Sequence, residues 1–293
     1  MRAEPQRTRG SILGTRDPRP ETRDRRRGLA GGIAGGAILL LVALTVSVGP
    51  LLDGHDPNQV DLPMGLRGPG PEHWLGSDQL GRDVLLRLLH GGRAALGLAV
   101  PATLAVTAIG VALGLASGYF GGWLDLLVAG LLNALLALPG LILSLAILAL
   151  LGPGRLSLLA ALVAAGWIGL ARLSRAAVLV LREAGYVEAA RALGAPDRRI
   201  LGRHILPNTL GLVAVLTALE LGSMLLAMAA LSFLGLGEQP PAADWGVMLN
   251  DGRPYFRTYP HLMLLPGLCI FAVALGANLL GDALRDLLDP RRR

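Results

Sequence analysis

Lysine is absent from this 293-residue chain, so all 27 of its basic residues are arginine. A GxxxxGK[ST] phosphate-binding loop is thereby excluded, because its lysine is the group that reaches the nucleotide phosphates. Schiff-base lysine chemistry and a Ser-Lys dyad fall with it. Any nucleotide hydrolysis the function needs must come from another chain. The single cysteine, Cys269, excludes an intrachain disulfide, a thiolate cluster and a zinc ribbon. Set in an apolar run, it reads as a small core hydrophobe. Charge is also scarce: 16% of residues are charged, 53% are apolar, and the mean hydropathy is +0.54. So little charge cannot coat a soluble globule of this size, and the chain needs a lipid-facing solution.

The charge that is present is basic, with a net charge of +6 and a pI near 10.5. Nine of the arginines lie in residues 1–28, directly before the first apolar run. Arginine clusters in that place mark a cytoplasmic flank, so no nucleic-acid partner is expected. The run itself, 29–48, is too long for a signal-peptide core and follows too long a polar leader, so it reads as a first membrane helix.

Apolar runs recur at 29–48, 94–115, 124–151, 156–173, 210–234 and 262–280. Each approaches or exceeds the ~20 residues a helix needs to cross a bilayer core. The expected fold is an all-α membrane protein with about six transmembrane helices, the third bent or tilted around Pro139. Counting arginines between runs gives the orientation. With the N-terminus inside, nine precede the first run, seven lie from Arg172 to Arg203 and four follow Gly281. The other side holds only four between residues 51 and 93, then Arg155, Arg253 and Arg257. Both termini are therefore expected in the cytoplasm. The division follows: a cytoplasmic Arg-rich tail at 1–28, a first crossing and extracytoplasmic segment at 29–93, a core membrane domain at 94–281 with a cytoplasmic loop at 182–207, and a cytoplasmic tail at 282–293.

Gly110, Gly114, Gly118 and Gly122 recur every four residues on one helix face and predict close helix packing, as do Gly32 and Gly36. The most polar stretch of the core is Tyr186-Val-Glu-Ala-Ala-Arg-Ala-Leu-Gly-Ala-Pro-Asp-Arg-Arg-Ile-Leu-Gly-Arg-His-Ile-Leu-Pro207. It predicts a short helix over 186–193 with Val187, Ala190 and Leu193 on one side, ended by Gly194. A turn at Ala195-Pro196 follows, with Asp197 capping a second helical piece up to His204. A short helix with small residues and exposed charge suits a groove on another protein.

This stretch resembles the EAA loop of bacterial ABC importer permeases. Glu188, Ala189, Ala190, Gly194, Leu206 and Pro207 match in register, while His204 stands where the general pattern has Ile. Leu75-Gly-Ser-Asp-Gln-Leu-Gly-Arg-Asp83, Gly118-Tyr-Phe-Gly-Gly-Trp-Leu-Asp125, Ala230-Leu-Ser-Phe-Leu-Gly-Leu-Gly237, Asp244-Trp-Gly246 and Asn278-Leu-Leu-Gly-Asp-Ala-Leu-Arg-Asp286 resemble the dipeptide, oligopeptide and nickel permeases, second-permease type. The resemblance implies an importer-permease (MetI-like) fold in the bacterial inner membrane. It also implies a second homologous permease, two cytoplasmic ATPase subunits that hold ATP and Mg, and an extracytoplasmic substrate-binding protein. This chain is then no enzyme and binds no cofactor or metal of its own. Substrate would cross by alternating access.

Within that resemblance, Tyr186, Glu188, Ala189, Ala190, Leu193, Gly194, Ala195, Leu206 and Pro207 are the expected ATPase-coupling residues. Asp78, Arg82 and Asp83 form a mixed-charge patch where the binding protein would dock; an interfacial helix over 84–89 is the other reading of that region. Glu220, an ionisable group inside the fifth run, costs ~2.5–3.5 kcal/mol to insert and is a candidate to line the path or pair between helices. Related permeases often carry Glu at the place of Met228, so no role transfers to Glu220. Asn133 and Asn278 are further path candidates or helix-to-helix hydrogen-bonding groups. The five histidines show no i, i+4 metal spacing. Di- or oligopeptides are the leading cargo; a nickel chelate and an ion-coupled secondary transporter are the alternatives.

Overall fold

The structure, a computed structural model, describes residues 19–52 and 55–288. Most of the tail expected over 1–28, and residues 289–293 of the tail expected over 282–293, lie outside the described residues. Ten α-helices order what is described: α1 (Arg19–Leu52), α2 (Val84–Phe120), α3 (Gly122–Leu136), α4 (Gly140–Leu151), α5 (Arg155–Leu181), α6 (Gly185–Ala192), α7 (Asp197–Ile200), α8 (Leu206–Phe233), α9 (Trp245–Gly252) and α10 (His261–Leu288). Five helical stretches are long and apolar enough to cross a membrane, and a bent pair makes a sixth.

That pair is α3 and α4, which meet at 89°. Pro139 stands between them; it lacks an N–H and disfavours helix at the residue before it, Leu138. At 1.5 Å per residue, neither the 15-residue α3 nor the 12-residue α4 covers a ~30 Å core alone. Together they return the chain from one end of the bundle to the other, because α2 and α5 run parallel. Gly110 lies against Leu170, Gly114 against Ser174 and Gly118 against Val178. A Cβ at Gly114 would stand 2.6 Å from the Ser174 Cβ and 2.7 Å from the Ala171 carbonyl oxygen. Close backbone approach of this kind holds helices together where lipid removes the hydrophobic drive.

The glycine row is shorter than its period suggests. A Cβ at Gly122 would meet nothing within 4 Å, because the chain has already turned into α3 there. On α1 the close contacts are Gly32 against Ala283 and Gly35 against the Gly276 carbonyl, whereas Gly36 faces open space.

α8 packs antiparallel to α10, with Gly222 against Ala274 and Gly281 against Leu219. α1 also packs antiparallel to α10, with Gly28 near Asp286 and Gly49 reaching Leu89 on α2. Following the crossings in turn, the start of α1, the end of α10 and the α6–α7 segment share one end of the bundle. Residues 55–83 and 235–260 share the other. Ala99, Ala102, Val106, Leu148, Ala161, Leu225 and Val273 are fully buried at the centre, while Leu126, Leu150, Leu156 and Val180 face outward.

Candidate functional site

The α6–α7 end is built around a Schellman motif. Gly194 has φ +78, its N–H donates to the Arg191 carbonyl at 3.0 Å, and the Ala195 N–H reaches back to the Ala190 carbonyl at 3.0 Å. These two bonds satisfy carbonyls that a helix end otherwise leaves open, and they require a left-handed residue, which glycine adopts without cost. A Cβ at Gly194 would meet nothing within 4 Å, so within this chain its constraint is conformational rather than steric.

Val187 is the buried anchor of α6, packed with Tyr119, Val178, Ile200 and Ile205. Ala190 and Ala195 are half-buried beside it. Tyr186, Glu188, Ala189, Gly194, Leu206 and Pro207 are exposed. Leu193 does not share the buried side with Val187 and Ala190 as expected: it lies at the C-cap, 89% exposed. The helix end rotates it away from the core and leaves a large apolar side chain at the tip.

Asp197 does not cap α7. Pro196 holds the N-cap place, and Asp197, one residue on, accepts a hydrogen bond from the Tyr119 hydroxyl at 2.5 Å. Nearby, Arg182 donates to the Gly118 carbonyl at 3.1 Å, and Arg175 forms a two-point ion pair with Asp125 at 2.5 and 2.7 Å. The end of α2 is thus tied to Arg182, ahead of α6, and to Asp197, at the start of α7. A cleft of about 470 Å³ opens between them, lined by Tyr119, Phe120, Arg182, Glu188 and Arg191 among others. From α7 the chain enters α8 without a loop, through a π-helical turn over Leu201–Ile205. Pro207 has no N–H to give to the preceding turn, which accounts for the widening there.

At the opposite end, two residues of the expected mixed-charge patch, Asp78 and Arg82, are buried, and Asp83 is half-buried. Asp78 is 7% and Arg82 4% exposed. The Arg82 Nε donates to the Asp78 carboxylate at 2.6 Å, and Arg87, also buried, stands 3.5 Å from the same carboxylate. Asp83 caps α2 by accepting from the Leu86 N–H at 2.9 Å and meets His73 at 2.8 Å. These charges are turned onto one another and fasten the 55–83 segment to the bundle. The Val84–Leu89 stretch is the first part of α2, largely buried, and does not form a separate interfacial helix. Across from it, Asp244 caps α9 through the Gly246 and Val247 N–H groups at 2.9 and 3.1 Å. Burial pushes the Asp244 carboxyl up from its ordinary range, and those N–H bonds pull it part of the way back. Trp245 donates to the Leu88 carbonyl at 2.9 Å, and Gly246 fits against Ala229.

With this geometry in place, residues 110–293 match the family model described as binding-protein-dependent transport system inner membrane component. The chain belongs to this family. It is 40% identical over 258 residues to the glutathione transport system permease protein GsiD of Pectobacterium atrosepticum, covering 88% of this chain and 86% of that one. It is 39% identical over 261 residues to the dipeptide transport system permease protein DppC of Alkalihalophilus pseudofirmus, covering 89% and 86%. GsiD of Escherichia coli matches at 40% over 254 residues, covering 87% and 84%. The chain is therefore an inner-membrane permease of a binding-protein-dependent ABC transport system, a family whose members work in a membrane complex with ATPases and a binding protein.

The three path candidates of this permease lie on three helices, α3, α8 and α10, and no hydrogen bond joins them among the described residues. Asn133 is exposed on α3. Asn278 is exposed and donates to the Ala274 carbonyl of its own helix at 2.9 Å, with no bond to a neighbouring helix among the described residues. Glu220 is half-buried at the middle of α8, with no hydrogen bond or ion pair among the described residues. Sequence reasoning missed the Tyr119–Asp197, Arg175–Asp125 and Thr107–Thr217 contacts. Each joins residues 50 or more apart, and no local pattern reports such a pairing.

Proposed function

We propose that the permease is the second of two homologous membrane subunits in an importer of di- or oligopeptides, and that α6 is its coupling helix. Two ATPase subunits, which hold ATP and Mg, grip α6 from the cytoplasm. The observation that carries this reading is the exposed α6, anchored by Val187, stopped by the Gly194 turn and tied through Asp197 to Tyr119 on α2. A stiff, seated element passes on a push; a slack one absorbs it.

The orientation rests on charge. Arg172, Arg175, Arg182, Arg191, Arg198, Arg199 and Arg203 all cluster at the α6 end, the arrangement expected of a cytoplasmic face. Closure of the ATPases would swing α2 and α8 and expose the path to alternate sides of the membrane. Tyr186, Glu188, Ala189, Ala190, Leu193, Gly194, Ala195, Leu206 and Pro207 are the residues assigned to coupling. Exposed Glu188 suits a charge-assisted contact, and Ala189 and Gly194 permit close approach. Peptide cargo is favoured because relatives named for glutathione and for dipeptide transport align over most of this chain.

The test is uptake by the complex reconstituted in liposomes. Dipeptide accumulation that needs ATP, the binding protein and both permeases supports the reading. Accumulation driven by an ion gradient without ATP overturns it.

A further inference from the structure

Glu220 sits near the middle of α8, where a carboxylate needs a counter-charge or water. Among the described residues no counter-charge stands there: α8 carries no arginine, and those of α2, α5 and α10 lie toward the ends of their helices. The surroundings are polar nonetheless. Thr217, Glu220 and Ser223 follow one another a turn apart along α8. The Thr217 hydroxyl meets that of Thr107 on α2 at 3.2 Å, and Ser223 is exposed. Because α2 and α8 are antiparallel, Thr103 stands at the level of Glu220, its hydroxyl buried without a partner. Farther along the same α2–α8 seam, toward the α6 end, lies an apolar groove of about 300 Å³ lined by Ala112, Leu115, Ala116, Phe120, Gly202 and Leu206. Polar side chains and an apolar groove thus follow one another along this seam.

We propose that Glu220, beside the Thr107–Thr217 pair, is a cation-recognising station on the translocation path that takes the N-terminal ammonium of a crossing peptide. This rests on the peptide-importer reading. The carboxylate accepts from the ammonium, a charge-assisted bond that compensates both groups for lost water. The groove beyond accommodates side chains without choosing among them.

The test is chemical rescue on the assembled complex. In a Cys269→Ala background, Glu220→Cys is expected to lower ATP-driven dipeptide uptake by about tenfold or more, the scale of one lost charge-assisted hydrogen bond. The second permease and the ATPases should still copurify. An anionic sulfonatoethyl methanethiosulfonate should then restore uptake, and the cationic trimethylammonioethyl reagent should not. Rescue by both reagents or by neither, a thiol that neither reagent reaches, or loss of the second permease from the complex overturns the station. Absence of ATP-driven peptide uptake by the unsubstituted complex would instead strike the importer reading itself.

Discussion

The hydroxyl of Tyr119, at the end of α2, donates to the carboxylate of Asp197, in the segment that joins α6 to α8. Two elements separated by 78 residues are linked by this bond at the level where α6 is anchored. Tyr119→Phe keeps the ring in its buried cluster and removes the hydroxyl with its bond to Asp197. The expected result is a complex that still hydrolyses ATP but moves about tenfold less peptide per ATP or worse, on the scale of about 1.5–3 kcal/mol for a bond to a charged group. Asp197→Asn, which still accepts, should lose less than Asp197→Ala. Parallel measurement of uptake and hydrolysis in liposomes checks this.

Gly194→Ala should weaken coupling although the added methyl has open space. The left-handed φ costs an L-residue roughly 1–2 kcal/mol, so the α6 end unwinds or shifts. Gly194→Asn should retain more function, since asparagine tolerates that conformation. ATPase retention by the purified permease, compared across the two variants, reads the difference.

Leu193→Ser should leave thermal stability within about 0.5 kcal/mol of the parent, as an exposed position away from any packing does. ATPase retention should fall nonetheless, because the variant removes a free apolar contact at the tip. Unchanged retention would remove Leu193 from the coupling set.

Asp78→Ala should destabilise the protein by about 3–5 kcal/mol, because Arg82 and Arg87 are left buried without their shared carboxylate. A large drop in thermal midpoint is expected in the permease purified alone, with no binding protein present. That outcome separates a structural ion pair from a docking patch, whose loss would show only when the binding protein is added.

Hydropathy was enough to place the six crossings and the break at Pro139, because both depend on local composition. The Schellman turn was legible for the same reason: Gly194 followed by Ala195-Pro196 is a short-range signal. The length of α2 was not. Its first turns carry Arg87 and Arg93, and they are helical because Asp83 caps them and Trp245 covers them. The sense of the Asp78–Arg82 pair was missed because a charge in the sequence does not say whether it meets water or another charge. Helical period puts Leu193 on the buried side, and it fails at a residue where the helix stops.

The central claim is that the α6–α7 segment faces the cytoplasm and is covered there by the ATPases. Leu193→Cys in a Cys269→Ala background gives one exposed thiol at its tip, to be probed with a membrane-impermeant maleimide. The thiol should be silent in intact cells, labelled in inside-out vesicles stripped of ATPase, and shielded when the ATPases are restored. Labelling from outside intact cells would contradict the account.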